Sequence, residues 1–243
     1  MYRGAFLSLT LAVVLQASST NQEFSDFTTP LPLKPGDTLI LGIVGGWERW
    51  DAPQRGVRKT ALELRAMNLP GVYVETVENH KLNLAEQLID RAFTSPATAR
   101  VILYGHSFGG MSAVRFTREL NAKGIPVLLV VLVDSVGRNR PIPPNVRAAA
   151  NFFQRDSWPV CGPKRIRAEN PSRTTILGNF QWKYRHKNVD IHNEPWVRRF
   201  FVNAHEKMEF DPEMWSAVKK LVLDSLTTVA SPTARRYRTP SKE

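Results

Sequence analysis

The sequence predicts an α/β fold, in which a mostly parallel sheet carries helices on both of its faces. Short, largely apolar runs alternate along the chain with longer segments whose apolar residues recur at helical spacing. The runs are apolar at successive positions, as expected for strands that are buried on both faces. A chain of 243 residues has the length of one such domain, which we place at residues 36–230.

The first half of the chain predicts four strands and three helices in alternation. Largely apolar runs place the strands at 38–44, 72–77, 100–104 and 127–133. Between them, the segments 57–67, 84–93 and 111–120 place apolar residues three or four positions apart. This alternation is typical of parallel strands joined by helical crossovers.

The second half departs from this alternation between residues 141 and 173. We predict a helix at 146–153 and interpret the whole segment 141–173 as a small, cap-like insertion over the carboxyl ends of the strands. Further strands are predicted at 174–180 and 188–191. Asp211 and Pro212 supply an N-cap and a first-turn proline for a final helix that ends near residue 226.

Both ends of the chain predict segments outside the domain. Arg3, an apolar stretch at 5–15 and small residues at 17–19 indicate a signal peptide over residues 1–19. We therefore expect a secreted or periplasmic protein, with or without an uncleaved membrane tether. Residues 231–243 form a basic tail that we expect to be disordered.

The formal net charge of +11 raises the question of anionic partners. Most basic residues are dispersed, and the only dense cluster lies in the C-terminal tail. We therefore expect no nucleic-acid binding, and at most a weak contact between this tail and an anionic membrane surface. The single cysteine, Cys161, cannot form an intrachain disulfide and has no neighbour with metal-ligand spacing.

A Gly-x-Ser-x-Gly motif, Gly105 to Gly109, lies between the predicted strand 100–104 and the helix that follows it. In this strand–turn–helix setting a serine is held at a sharp bend, where its hydroxyl is exposed beside the N–H groups of the helix start. Glycines are needed because side chains at the flanking positions would collide with the neighbouring strand and helix. Ser107 is therefore the candidate nucleophile.

The motif and its setting resemble the α/β-hydrolase superfamily over residues 38–226. The chain looks like a reduced version of that sheet, because the lead-in before residue 38 is too short for the first antiparallel strands. The resemblance implies a catalytic acid and a histidine after the serine, in that order. Asp134, at the end of the fourth apolar run, is the best candidate for the acid, while Asp190 and Glu169 remain open.

His205 is the preferred catalytic base, because the family places its histidine on a loop before the last helix. His192, directly after the predicted strand 188–191, is the alternative base. His186 lies in a charged turn and is the weakest of the three, and His106 would point away from the serine.

Two backbone N–H groups should form the oxyanion hole, one from Phe108 and one from Gly46 or Trp47 in the loop after the first strand. An acyl pocket could be lined by aromatic residues near these loops, namely Trp47, Trp50, Phe152, Phe153 and Trp158. No cofactor and no metal are expected. The chain carries no phosphate-loop or dinucleotide motif, and His205 has no second histidine at zinc-protease spacing.

These residues together predict hydrolysis of a carboxylic ester through an acyl-enzyme, as in an esterase or lipase acting on a small-molecule ester or a lipid. A thioesterase or an acyltransferase could use the same triad. A ligand-binding protein on an inactive hydrolase scaffold is the alternative from another class.

Overall fold

The computed structural model describes residues 21–138 and 140–228, so the predicted signal peptide and basic tail lie outside the described residues. The strands are β1 (Thr38–Ile43), β2 (Val72–Val77), β3 (Val101–His106), β4 (Val127–Val133), β5 (Val146–Phe153) and β6 (Thr175–Gln181). The helices are α1 (Gly56–Ala66), α2 (Leu82–Ala92), α3 (Phe108–Ala122), α4 (Trp196–Phe201), α5 (Asn203–Phe210) and α6 (Pro212–Thr228). Two short 3-10 helices cover Phe24–Asp26 and Pro96–Thr98.

The six strands form one sheet in the order β2-β1-β3-β4-β5-β6, and every neighbouring pair is parallel. Helices α2 and α3 contribute apolar residues to the core on one face of the sheet, while α1 and α6 contribute to the core on the other. The predicted α/β class is therefore confirmed. The strand order reverses between β1 and β3, and a crevice forms at such a switch point beyond the carboxyl ends of the strands.

The prediction of a helix at 146–153 is wrong, because these residues form β5 between β4 and β6. Ala149 and Ala150 have a high intrinsic propensity for a helix, but both are fully buried, one on each face of the sheet. Hydrogen bonding to two neighbouring strands outweighs the small intrinsic preference of alanine for a helix. The predicted insertion 141–173 consequently includes a strand of the central sheet, and the irregular loop over the carboxyl edge begins only after Phe153.

The strand predicted at 188–191 is also absent from the described residues, which are irregular there. The Asp190 carboxylate accepts the His192 N–H at 2.9 Å, a local bond that turns the chain and competes with an extended ladder. By contrast, the predicted final helix is confirmed as α6. Asp211 caps it by accepting the Glu213 N–H at 3.1 Å.

Across residues 21–138 and 140–228, no helix has both the length and the apolar character that crossing a membrane requires.

Candidate active site

Ser107 occupies a strained turn between β3 and α3, with φ 55° and ψ −126°. The turn is possible because glycines flank the serine. A Cβ on Gly109 would lie 2.1 Å from the Ile43 carbonyl oxygen, and one on Gly105 would lie 2.6 Å from the Gly109 backbone. Strain of this kind is retained where the surrounding structure enforces it, and it holds the Ser107 side chain at the carboxyl edge of the sheet.

His205 lies near the start of α5, and its ring reaches back to the serine. Its Nε2 is 3.0 Å from Ser107 Oγ, and its Nδ1 is 2.7 Å from Asp134 Oδ2. Because a carboxylate can only accept, Nδ1 carries the proton and Nε2 is free to accept from the serine hydroxyl. The backbone beside the histidine is fixed as well, since the Ala204 N–H donates to Ser157 Oγ at 2.7 Å.

Asp134 follows β4 and is fully buried. Its Oδ1 accepts the Gly162 N–H at 2.6 Å, while its Oδ2 accepts the Gln154 side-chain amide at 2.7 Å in addition to His205. Gly162 can approach because it lacks a side chain, since a Cβ there would lie 2.9 Å from the Ser135 nitrogen. Gln154 and Gly162 were not singled out in the sequence, yet they orient the carboxylate.

His205 and Asp134, which are both buried, each shift the pKa of the other so that the charged forms of both are favoured. Burial lowers the pKa of the His205 imidazole, but the hydrogen bond and the charge of Asp134 outweigh this, so that the pKa is raised. Burial acts to raise the pKa of Asp134, but hydrogen bonds from His205, Gly162 and Gln154 hold it below its ordinary value. An imidazolium formed at His205 would therefore be stabilised where it stands.

The other candidate acids and bases do not contact Ser107. His192 has a side chain that is 85% exposed and is paired with Asp190, which is itself 80% exposed. His186 lies on an exposed turn. Glu169 is bound by Arg118. Of the candidate acids and bases, the structure brings Asp134 and His205 to Ser107.

The loop after β1 lies against the serine turn. The Trp47 and Phe108 rings make an edge contact with centroids 6.1 Å apart, and a Cβ on Gly46 would lie 2.6 Å from the Phe108 ring. The Gly45 N–H is already engaged by Glu48 at 2.9 Å. Gly46 and Trp47 therefore remain the candidate donors on this loop, and Phe108 is the candidate at the start of α3, where the first N–H has no intrahelical acceptor.

The structure divides the residues of the predicted aromatic pocket between the core and the surface. Phe152 and Phe153 are 3% and 6% exposed because they belong to β5, and Phe152 packs on Phe180 in the core with centroids 5.0 Å apart. Trp47 and Trp158 are instead 76% and 75% exposed.

A buried ionic cluster beneath the His205 ring was not predicted. The Arg55 guanidinium lies 3.6 Å from Glu48, 3.1 Å from Glu194 and 3.5 Å from Glu206. These three acids are at most 9% exposed. Glu48 holds the loop after β1 and Glu206 lies on α5, so the arginine joins the loop to the helix that carries the histidine.

His106 and Glu209 complete this cluster. Glu209 Oε1 accepts the Gly56 N–H at 2.8 Å, and its Oε2 lies 2.9 Å from His106 Nδ1 without good hydrogen-bond alignment. The His106 ring stacks on the His205 ring with centroids 4.5 Å apart. Burial raises the pKa of Glu209 to about 7, and burial together with the charge of His205 lowers the pKa of His106 to about 4.

Within the described part of the chain, the only group of acids and histidines with ligand atoms mutually within 4.8 Å is Glu48, His106 and Glu209. Arg55 already supplies positive charge 3.6 Å from Glu48, which opposes the binding of a cation there. A proton held on a carboxyl group is the simpler way to offset the negative charge of this cluster.

Glu209→Gln should therefore become more stable relative to the parent protein as the pH rises. Because the folded pKa of about 7 lies above the ordinary value of 4.5, the carboxyl stabilises the fold below pH 4.5 and loses this contribution as the pH rises through 7. Glutamine mimics the protonated form, so the variant should gain up to about 3 kcal/mol relative to the parent across this range. Urea unfolding at pH 5, 6, 7 and 8 measures the difference in the free energy of unfolding.

Glu213→Gln, at a side chain that is 73% exposed, is the control and should show no such trend. Parallel pH curves for Glu209→Gln and the parent would contradict the prediction.

The comparison with known protein families fits this architecture. The sequence matches the model of the alpha/beta hydrolase family over residues 45–239, which is more than half of the chain. A protein from Pectobacterium atrosepticum assigned as a YdeN-like hydrolase shares 14% identity, with a TM-score of 0.43 and coverage of 79% of this chain and 92% of that one. The Tle1 effector, solved bound to the VgrG spike of the Type 6 secretion system, shares 11% identity. Its TM-score is 0.29, and the alignment covers 68% of this chain and 54% of the effector chain.

No curated protein matches the sequence. The extent of the family match nevertheless identifies the fold and supports a hydrolase activity, and the chain belongs to the alpha/beta hydrolase family.

Proposed function

We propose that the protein hydrolyses a carboxylic ester through an acyl-enzyme. The observation that carries this proposal is the continuous array from Ser107 Oγ to His205 Nε2 at 3.0 Å and from His205 Nδ1 to Asp134 Oδ2 at 2.7 Å. A serine, an imidazole and a carboxylate in this order are the parts needed for acyl transfer. Family membership supports a hydrolase, and the array supports acyl transfer through a serine as its chemistry.

The acylation step follows from the arrangement of these groups. His205 Nε2 removes the hydroxyl proton as Ser107 Oγ attacks the ester carbonyl carbon, whose π electrons move onto its oxygen. Asp134 holds the imidazole in the required tautomer and stabilises the imidazolium. When the tetrahedral intermediate collapses, His205 returns the proton to the leaving alcohol, and the acyl group remains on the serine. Water activated by His205 then repeats the sequence and releases the acid.

The oxyanion formed in these steps requires donors that are already in place. The Phe108 N–H at the start of α3 is one candidate, and the Gly46 or Trp47 N–H on the facing loop is the other. Donors fixed before the reaction need no reorganisation when the charge develops, which is why such groups contribute strongly to acyl transfer.

A fluorophosphonate probe tests the nucleophile. We expect one probe per chain on Ser107, because the imidazole 3.0 Å away activates the hydroxyl. Ser107→Ala should lose the label. Ser112→Ala should keep it, since that buried hydroxyl in α3 donates to the Asn79 carbonyl and has no such base. Folded protein that takes up no label at Ser107 would favour a ligand-binding protein on an inactive scaffold.

A further inference from the structure

Four aromatic side chains are exposed to an unusual degree. Trp47, Trp158, Trp196 and Phe200 are 76%, 75%, 67% and 77% exposed, whereas the next most exposed large apolar side chain in the described part of the chain, Met67, is 45% exposed. We call these four residues the aromatic rim. Large apolar groups left in water in one region indicate a surface that becomes covered when the protein functions.

The first two members of the rim flank the serine and the histidine. Trp47 follows the carboxyl end of β1 and contacts the Phe108 ring, directly after Ser107. Trp158 follows Ser157, whose hydroxyl accepts the backbone N–H of Ala204 at 2.7 Å. These contacts place both tryptophans at the edge of the sheet where the Ser107 hydroxyl lies.

The other two members lie on α4, which leads directly into α5 and its His205. Trp196 and Phe200 are four residues apart, so they share one face of this helix. Both line an open cavity of about 470 Å³, together with Val189, Ile191 and Arg199 among others. The second pair of rim residues therefore lies on the short helix that immediately precedes the helix carrying His205.

The surface around α4 carries a positive balance. Residues 182–207 contain six lysines and arginines but only three acids. Two of these acids, Glu194 and Glu206, are buried and face the Arg55 guanidinium. The third, Asp190, is 80% exposed and contributes one negative charge. Arg198 also pairs with the two buried acids, and Lys187 pairs with Asp211 and Glu213 outside the segment. The segment keeps a positive balance through its other four cations, which are Lys183, Arg185, Arg199 and Lys207.

We propose that the aromatic rim docks on an anionic lipid bilayer, so that Ser107 receives water-insoluble esters from the membrane surface. Tryptophan and phenylalanine partition into the interfacial layer, and cations beside them are attracted to anionic headgroups. The docking itself does not depend on catalysis. The delivery of an ester to Ser107 rests on the function proposed above.

Binding can be measured with the full-length Ser107→Ala protein, which cannot consume the lipid. Vesicles of phosphatidylglycerol and phosphatidylcholine should sediment the protein and shift its tryptophan fluorescence to the blue, with at least tenfold weaker binding to phosphatidylcholine alone. Adding Trp196→Ala and Phe200→Ala together should weaken binding to the anionic vesicles at least tenfold. The control pair Leu62→Ala and Met67→Ala removes exposed apolar groups on and just after α1 and should leave binding unchanged.

Three results would overturn the docking proposal. The first is that neither vesicle binds the protein. In the second, the Trp196→Ala/Phe200→Ala variant binds as tightly as its parent, which would assign the attraction to other basic segments such as the C-terminal tail. The third is a dimer in solution that this double variant dissolves, which would make the rim a contact between two copies of the chain.

Rates of ester hydrolysis distinguish a failure of this proposal from a failure of the proposed function on which it rests. With Ser107 intact, Trp196→Ala/Phe200→Ala should hydrolyse soluble p-nitrophenyl butyrate within about twofold of the parent rate and lose at least tenfold on an ester held in anionic vesicles. Equal losses on both substrates would contradict delivery from the membrane. Binding of vesicles by a protein that hydrolyses neither ester would leave the docking surface standing and remove the proposed function.

Discussion

His205→Ala is expected to lower kcat for p-nitrophenyl butyrate by about 10⁴-fold or more, with little change in KM. The Nε2 atom 3.0 Å from Ser107 Oγ is the group positioned to remove the hydroxyl proton and to return it to the leaving alcohol. Without it the hydroxyl stays protonated near neutral pH, so kcat falls. The substrate still binds to the same surface, so KM changes little. Steady-state kinetics over a range of ester concentrations separates the two parameters.

His192→Ala is the matched control for this experiment. The imidazole of His192 is 85% exposed and is paired with Asp190, so its removal should change kcat by less than about twofold. If His192→Ala lost the activity and His205→Ala kept it, the base would be wrongly assigned. Circular dichroism should establish that both variants are folded, because His205 is buried and stacks on His106.

The sheet could be predicted largely from local sequence because its strands are buried on both faces. Runs such as the one that became β4 are apolar at successive positions, and only a doubly covered strand needs this pattern. The strand β5 does not show it. Its Ala149 and Ala150 fill space between neighbouring layers, and alanine has no side-chain pattern that distinguishes such a strand from a helix.

The position of the serine turn could be predicted for a different reason. The Gly-x-Ser-x-Gly spacing reflects contacts within a few residues, such as the one between Gly105 and Gly109. Predicting the partners of Ser107 also required the topology of the sheet. Parallel strands bring the end of β4 to the same edge as the end of β3, which indicated Asp134. The expectation that the base precedes the last helix, which indicated His205, came from the family resemblance.

The ionic cluster around Arg55 could not be predicted from the sequence. Its members come from the loop after β1, the end of β3, the residues just before α4 and helix α5, and no local spacing connects Glu48 with Glu209. A buried acid also looks like a surface acid in a sequence, because only the packed structure removes its water. The same holds for Gln154, whose amide contacts Asp134 only after β4 and β5 are paired.

Asp134→Asn is expected to lower kcat for the same ester by about 10⁴-fold while the protein remains folded. Asparagine keeps an oxygen that can accept the Gly162 N–H, bonded at 2.6 Å in the parent, so the loop over the site retains its anchor. The amide nitrogen, however, would face His205 Nδ1 as a donor, and Gln154 Nε2 would lose this acceptor while keeping the Val160 carbonyl at 2.9 Å. Nδ1 would then have to accept, and the ring proton would move to Nε2, where it faces Ser107 and prevents that atom from taking the hydroxyl proton.

Asp190→Asn and Glu169→Gln serve as controls for Asp134→Asn, because their carboxylates pair with His192 and Arg118 away from the serine. Each should retain activity within about twofold, since a change at an exposed ion pair has little effect. Activity of Asp134→Asn within tenfold of the parent, with a large loss in either control, would assign the catalytic acid to the residue changed in that control. If all three variants remained active, an imidazole oriented by a carboxylate would not be part of the reaction, and the array at Ser107 would have to act by another route.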